Sequence, residues 1–293
     1  MRAARGIRVE VGRWKFIVPE SFHNGTRYNR DELIEDVVAA LEGKRGAPFR
    51  RSRHATTWKV GVARPAVEST NIFVKKLDTA RGLIGRAKAK SRAKRSEHVR
   101  RISEDLRRHD FRVPKVLLIG ENRDTREEVI VTSQAAGFML TRWVNPTHRV
   151  QVGLRHAILR QLGAELARLH LKGYIHGDLT PYNIFATDDH PIAITFIDHE
   201  GTEKISRVSI NVARSRMRNL VQLGHFDLPG LSRIDQLRVF ASYAAGIGLS
   251  RRARRQYLLR LAKMIARRRY RDRTSKQGAK ETVIIAEEDA ARS

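Results

Sequence analysis

The stretch Tyr174-Ile-His-Gly-Asp-Leu-Thr-Pro-Tyr-Asn-Ile-Phe185, followed by Ala193-Ile-Thr-Phe-Ile-Asp198, constrains this chain more than any other part of it. It spaces two carboxylates and a carboxamide, Asp178, Asn183 and Asp198, as a phosphoryl-transfer site spaces its base and metal ligands. Tyr174-Ile175 reads as a strand leading into the Asp178 loop. Asn183 to Ala186 then runs out, Asp188-Asp-His190 turns, and Ile192 to Ile197 returns. One loop thus presents Asp178 and Asn183, the next strand end presents Asp198, and the three groups are expected to converge on one metal-phosphate cluster. A local reading makes all three Asx turn and cap residues. The whole pattern His-Gly-Asp-Leu-x-Pro-x-Asn-Ile with a downstream Ile-Asp is far rarer by chance than a lone Asp-Leu, which favours the chemical reading.

The flanks predict where this motif sits. Val152 to Leu171 repeats apolar residues at Leu154, Ile158, Leu162, Leu166 and Leu169 and stops at Lys172-Gly173, the signature of a long buried helix ending at the motif. Upstream, Trp14 to Val18, Thr56 to Val62, Asn71 to Lys75 and Val129 to Thr132 have the β-branched and aromatic content of strands. Two helices interrupt them: Asp31 to Leu41, and Lys88 to Arg108 with a narrow stripe of Val99, Ile102 and Leu106. Downstream, Arg216 to His225, Ile234 to Ile247 and Arg251 to Tyr270 read as helices, the last with Tyr257, Leu258, Leu261, Met264 and Ile265 on one face. Sheet first and helices second is the order of an α+β, two-lobed protein-kinase-like fold. Residues 1–133 are expected to form an N-terminal extension and β-rich ATP-binding lobe, 134–270 a helical catalytic lobe, and 271–293 a charged, disordered tail.

Composition narrows the chemistry. The 293 residues, 41% hydrophobic, suffice for a substantial core, and the absence of cysteine excludes disulfides, thiolate metal sites and thiol nucleophiles. Basic residues at the start are followed by Val9-Glu-Val-Gly-Arg-Trp14, unlike a secretory signal, and the apolar runs Val116 to Ile119 and Ala241 to Leu249 fall short of the roughly 20 residues of a bilayer span. A cytoplasmic location is the expectation. The net charge of +27, from 58 basic and 31 acidic residues, attracts polyanions: nucleic acid, anionic lipid headgroups or phosphorylated glycolipids. Aromatic residues are 6% and are not interleaved with the arginine runs, which gives base stacking little support.

Other candidates surround the motif. Lys75, in Ile72-Phe-Val-Lys75, fits the strand lysine that holds the α- and β-phosphates of ATP, and alternation sends its neighbour Lys76 to the opposite face. Its carboxylate partner on the following helix is Glu97 or Glu104. Glu97 is preferred because it sits mid-helix, although surface pairing with the surrounding arginines would suit both. No Gly-x-Gly-x-x-Gly cradle exists: Gly46 and Gly61 alone lie between Gly43 and Lys75, leaving Arg50-Arg-Ser-Arg-His-Ala55 to cover the phosphates. Gly177 stands where many protein kinases carry the arginine of His-Arg-Asp, and Thr180 replaces the lysine of Asp-Leu-Lys-Pro. Only Gly201 to Val212 separates the Asp198 segment from the next helix, with no Ala-Pro-Glu. These departures leave little room for a peptide-docking activation segment. His176 is expected to brace the loop, and His199, in the Phe place of Asp-Phe-Gly, to pack there.

With these residues the chain resembles the lipopolysaccharide core kinases of the Kdo/WaaP type, a branch of the protein-kinase-like superfamily. The likeness runs from about Arg50 to Phe226. It includes Phe73-Val-Lys75, Lys94-Arg-Ser-Glu97, Val113-Pro-Lys-Val-Leu-Leu-Ile-Gly120, Ala167-Arg-Leu-His170, His176-Gly-Asp-Leu179, Ile197-Asp198 and Arg218-Asn-Leu-Val-Gln-Leu223. The resemblance implies an enzyme that moves the γ-phosphoryl of ATP to a sugar hydroxyl, on heptose or Kdo, of the inner core. Asp178 would be the base, Asn183 and Asp198 the Mg²⁺ ligands, and Lys75, paired with Glu97, the phosphate anchor. It also implies an anionic glycolipid acceptor and a peripheral place on the cytoplasmic face of the inner membrane, with the basic runs Arg81 to Arg108 and Arg251 to Arg273 against the bilayer. Aminoglycoside- and choline-type kinases share the motif, and Bud32/Rio-like kinases, working on RNA-associated machinery, share the compactness and basic character.

Overall fold

The computed structural model of the protein describes residues 6–22, 29–52, 55–62, 70–78, 94–205 and 211–274. The chain divides into two units, Met1–Ala136 with Thr195–Glu200, and Gly137–Ile194 with Gly201–Ser293. The six residues Thr195–Glu200, including Asp198, thus leave the second unit and join the first.

The first unit is built on β1 (Gly6–Val11), β2 (Trp14–Pro19), β3 (Arg50–Arg51), β4 (Ala55–Val62), β5 (Thr70–Leu77), β6 (Val116–Asn122) and β7 (Glu128–Ser133). They form one antiparallel sheet in the order β1-β2-β6-β7-β5-β4-β3. Two helices, α1 (Arg30–Leu41) and α2 (Arg95–Arg108), cover it. Strand alternation assigns each helix a face. Ile72 and Val74 of β5 join Trp58, Val60, Val129 and Val131 in a core closed by Leu33, Ile34 and Val37 of α1. Leu77 joins Ile119 and Ile130 in a second cluster closed by Val99 of α2. Each such aliphatic burial contributes about 1.5–3 kcal/mol, so the two layers hold the sheet rigid from both sides.

Each helix has its own start signal. Asn29 caps α1 by accepting from the Asp31 amide at 3.0 Å. The carboxylate of Glu128, on β7, accepts from the Ser96 amide at 2.8 Å, the Ser96 hydroxyl at 2.5 Å and the Arg95 amide at 3.3 Å. An anion therefore sits on the positive end of α2 and fastens it to the sheet. The buried line of α2 is Ser96, Val99, Arg100, Ser103 and Leu106, with Ile102 only half-buried, which differs from the expected apolar stripe. Arg100 can be buried because Glu97 and Glu104 both bind it. The expected helix residues 88–93, and the first part of the basic run Arg81 to Arg108 that includes them, lie outside the described residues.

The second unit contains β8 (Phe138–Met139), α3 (Leu140–Val144), α4 (Val152–Leu171), β9 (Tyr174–Ile175), β10 (Ile184–Ala186), the start of β11 (Ile194–Phe196), β12 (Glu203–Lys204), α5 (Val212–Gly224), α6 (Arg233–Gly246) and α7 (Arg251–Thr274). Helix α4 spans the predicted residues and packs tightly on α6. A Cβ at Gly163 would lie 2.3 Å from the Val239 carbonyl oxygen, so only glycine permits that approach. At the start of α6, Ser232 and Asp235 form a capping box, and the fully buried Asp235 also binds Arg238 at 2.8 Å and Arg155 at 3.4 Å. Helix α7 turns its Leu261 face inward, and Arg269 donates to the carbonyl of Gly224, an orphan acceptor at the end of α5, and to those of His225 and Phe226 just beyond it. It continues to Thr274, past the expected end; the rest of the charged tail lies outside the described residues. The architecture is α+β, β-rich in the first unit and helical in the second, as the protein-kinase-like reading requires. Among the described residues no helix is long and apolar enough to cross a membrane.

Candidate active site

In the second unit the loop bearing Asp178 is set by its supports. After α4, Gly173 turns the chain at φ 87° into β9, which pairs with β12. Gly177 passes so close to Gly201 that a Cβ would lie 2.2 Å from the Gly201 carbonyl oxygen. The glycine that replaces the arginine of His-Arg-Asp is therefore demanded by backbone contact.

Helix α5 holds the loop from behind. Buried Asn219 accepts from the His176 amide at 2.9 Å through Oδ1, and its Nδ2 donates to the His176 carbonyl and, at 2.8 Å, to Gln222. Gln222 in turn donates to the Gly177 carbonyl at 2.9 Å. His170, fully buried near the end of α4, has Nδ1 2.8 Å from the Tyr243 hydroxyl and Nε2 3.3 Å from Asn219 Oδ1. Because Asn219 Oδ1 can only accept, the network assigns the proton to Nε2 and leaves Nδ1 to accept from Tyr243.

Burial pushes His170 down to about 3 from an ordinary 6.5, so it stays neutral. Unfolding lets it take up a proton at mildly acid pH. Its stabilisation is complete above about pH 6.5 and is lost as pH falls toward 3. We expect this one group to cost about 2 kcal/mol of stability between pH 7 and pH 5. Urea unfolding at the two pH values reads the loss, and a His170→Gln variant should show a flatter profile.

On this support Asp178 is exposed and oriented. Its amide donates to His176 Nδ1 at 3.2 Å, so His176 is a brace, as expected. Asn183, buried at the end of the turn Pro181–Asn183, donates Nδ2 to both the carbonyl and Oδ2 of Asp178, each at 2.9 Å. Asn183 Oδ1, the metal-binding atom of a carboxamide, stays outside those bonds.

Lys75, Asp198 and Glu200 belong to the first unit. Lys75 sits on β5 between Thr57 of β4 and Ile130 of β7. Its Nζ binds Asp198 Oδ1 at 3.0 Å and Oδ2 at 3.1 Å, and lies 2.5 Å from Glu200 Oε1. Burial would lower the pKa of this amine, but Asp198 and then Glu200 outweigh it and raise it above 10.5, so the ammonium persists. Lys76 points to the other face and pairs with Glu127 at 3.1 Å. Asp198 adopts φ 63°, a left-handed conformation that Asp tolerates better than most residues and that turns the chain immediately beyond β11. His199 is buried, its Nε2 3.0 Å from the Phe196 carbonyl oxygen.

One expectation meets a different arrangement. The Lys75–Glu97 pair is not formed: both oxygens of Glu97 take Arg100, at 2.9 and 2.7 Å, and Lys75 takes Asp198 and Glu200. The reason is proximity along the helix, since Arg100 is three residues from Glu97 and reaches both oxygens with its fork. Sequence reasoning missed Glu200 and Asn219 as functional candidates. Glu200 had a signal, an acidic residue two places after Asp198, whereas nothing local in Arg218-Asn-Leu-Val-Gln-Leu223 marks Asn219. Of the expected phosphate cover, Arg50 and Arg51 form β3 on the sheet edge, while Arg53 and His54 lie outside the described residues.

No curated protein sequence matches the chain. Residues 85–243, more than half of its length, match the lipopolysaccharide kinase (Kdo/WaaP) family. The match takes in Asp178, Asn183, Asp198, Glu200 and Asn219, and begins after Lys75. The chain therefore belongs to the lipopolysaccharide kinase (Kdo/WaaP) family and is a phosphotransferase with a hydroxyl group as acceptor.

Proposed function

We propose that the protein transfers the γ-phosphoryl group of ATP to a sugar hydroxyl, on heptose or Kdo, of the lipopolysaccharide inner core. The observation that carries this reading is the exposed carboxylate of Asp178 oriented by Asn183 Nδ2. A carboxylate so held can accept the proton of an attacking hydroxyl while the rest of the loop stays fixed. Lys75 binds the α- and β-phosphates as a point charge.

The donors available for a metal, Asn183 Oδ1 and the Asp198 carboxylate, are hard oxygens of the kind Mg²⁺ takes, and phosphate oxygens and water normally complete such sites. Among the described residues no group of three or more His, Cys, Asp or Glu side chains could hold a metal ion without such help. Asn183 and Asp198 would hold the ion, which would neutralise the phosphate charge.

The acceptor class is supported by charge. Helix α7 exposes Arg252, Arg255, Lys263 and Arg267 beside Leu259, 64% exposed, and Tyr270, 73% exposed. Basic groups around a few outward apolar side chains suit the headgroup region of an anionic bilayer on the cytoplasmic face of the inner membrane.

Incubation of the protein with ATP, Mg²⁺ and purified core lipopolysaccharide is expected to add one phosphate to a core sugar, read by mass spectrometry of the released oligosaccharide. Phosphate appearing on protein or RNA-associated substrates, with the glycolipid untouched, would move the reading to the atypical protein kinases.

A further inference from the structure

We propose that Glu200, and not Glu97, is the carboxylate that positions Lys75, so that the grip of Lys75 on its nucleotide is set without any movement of α2. The proposal rests on the ATP-dependent reading above and concerns a positioning residue of the same site.

Lys75 has two carboxylates in contact, and they cannot serve alike. Asp198 belongs to the expected metal set, and an oxygen given to a cation is taken from Lys75. Glu200 is not a member of that expected set. Its side chain is 24% exposed, with Oε1 2.5 Å from Lys75 Nζ and Oε2 3.8 Å from Arg95 Nη1. Lys75 and Arg95 thus approach this largely buried carboxylate from its two oxygens and fix its orientation. The left-handed turn at Asp198 carries the chain so that residues 198 and 200 both reach Lys75.

Glu97 is committed elsewhere. Its carboxylate forms two bonds with the guanidinium of Arg100, which is only 8% exposed and takes a third from Glu104 at 2.6 Å. Swinging Glu97 toward Lys75 would leave a buried guanidinium with half its compensation, a large penalty. The helix itself is tied down by the Glu128 cap and the Val99 contact, neither of which involves Lys75. In kinases switched through this helix, the lysine pairs with a glutamate that moves with it. Here the partner lies two residues beyond Asp198, and α2 is free of that task.

Zero-length carbodiimide coupling of the full-length protein tests the contact directly, because it joins a carboxylate to an amine already in ion-pair contact. Peptide mass spectrometry is expected to find Lys75 joined to Glu200, with or without Mg²⁺ and a non-hydrolysable ATP analogue. A Lys75–Glu97 link would overturn the proposal.

Kinetics supply the second readout. Glu200→Gln should lower kcat for ATP turnover about tenfold with KM for ATP changed less than about threefold, because a mispositioned lysine still binds phosphate but holds it poorly for transfer. Glu200→Asp should recover part of the loss, and Glu97→Gln should change kcat less than about twofold. Thermal unfolding of each variant separates positioning from loss of fold. Equal effects of Glu97→Gln and Glu200→Gln, or no effect of the latter, would overturn the proposal even without a crosslink. A wild-type protein that turns over no ATP would instead remove the functional reading, and the crosslink would still decide which carboxylate holds Lys75.

Discussion

Asp178→Asn is expected to lower phosphoryl transfer about a thousandfold while nucleotide affinity stays within about twofold. The substitution is nearly isosteric and spares the supports of the loop. The Asp178 amide still meets His176, the Asp178 carbonyl still meets Asn183, and Asn219 and Gln222 still hold the backbone behind them. The carboxamide oxygen at position 178 can even accept from Asn183. It cannot accept a proton from an attacking hydroxyl, and that is the loss being measured. Single-turnover transfer to core lipopolysaccharide, set beside equilibrium binding of ATP, separates the two effects. Undiminished transfer would remove Asp178 as the base.

Asp198→Asn should reduce turnover about a hundredfold and shift the Mg²⁺ requirement to higher concentration. The choice of asparagine follows from the backbone. At φ 63° an alanine would add about 1 kcal/mol or more of strain, whereas asparagine tolerates that region, so a loss of activity reports charge and not misfolding. Removing the carboxylate also takes one of two ion pairs from Lys75 and leaves Glu200 as its counter-charge. An Asp198→Asn protein with unchanged metal dependence would place the metal elsewhere.

The elements that were legible early are those whose pattern is local. Val152–Leu171 was readable to the residue because its apolar period is long and its stop at Gly173 is unambiguous. Strand β1 was not read, although Ile7, Val9 and Val11 alternate, because Arg8 and Glu10 make the segment look like surface. Strand β6 carries a continuous apolar run at Val116 to Ile119, which has no period to distinguish strand from helix. The polar half of the buried line on α2 was equally hidden. Burying Arg100 depends on two glutamates and on a cap supplied by Glu128, which arrives from a different strand.

The same division runs through the site. Asp178, Asn183, Asp198 and Lys75 are candidates on residue type and spacing alone, because phosphoryl transfer calls for such side chains at a loop, the next strand end and a preceding strand. The candidate partner of Lys75 could not. Glu97, Glu104 and Glu200 are all carboxylates at plausible positions, and the choice depends on which is already satisfied by a neighbour. That is a question of three-dimensional competition: Arg100 takes Glu97 over three residues of helix, and the left-handed turn at Asp198 delivers Glu200 to Lys75. The brace from Asn219 to the Asp178 loop is of the same kind, a buried carboxamide pairing with backbone 43 residues away in the chain. Residue identity and spacing thus establish the reaction class, since they state which chemical groups exist. Folding settles which of several equivalent groups meet, since burial makes every unsatisfied charge or amide costly and leaves only the mutually satisfied set.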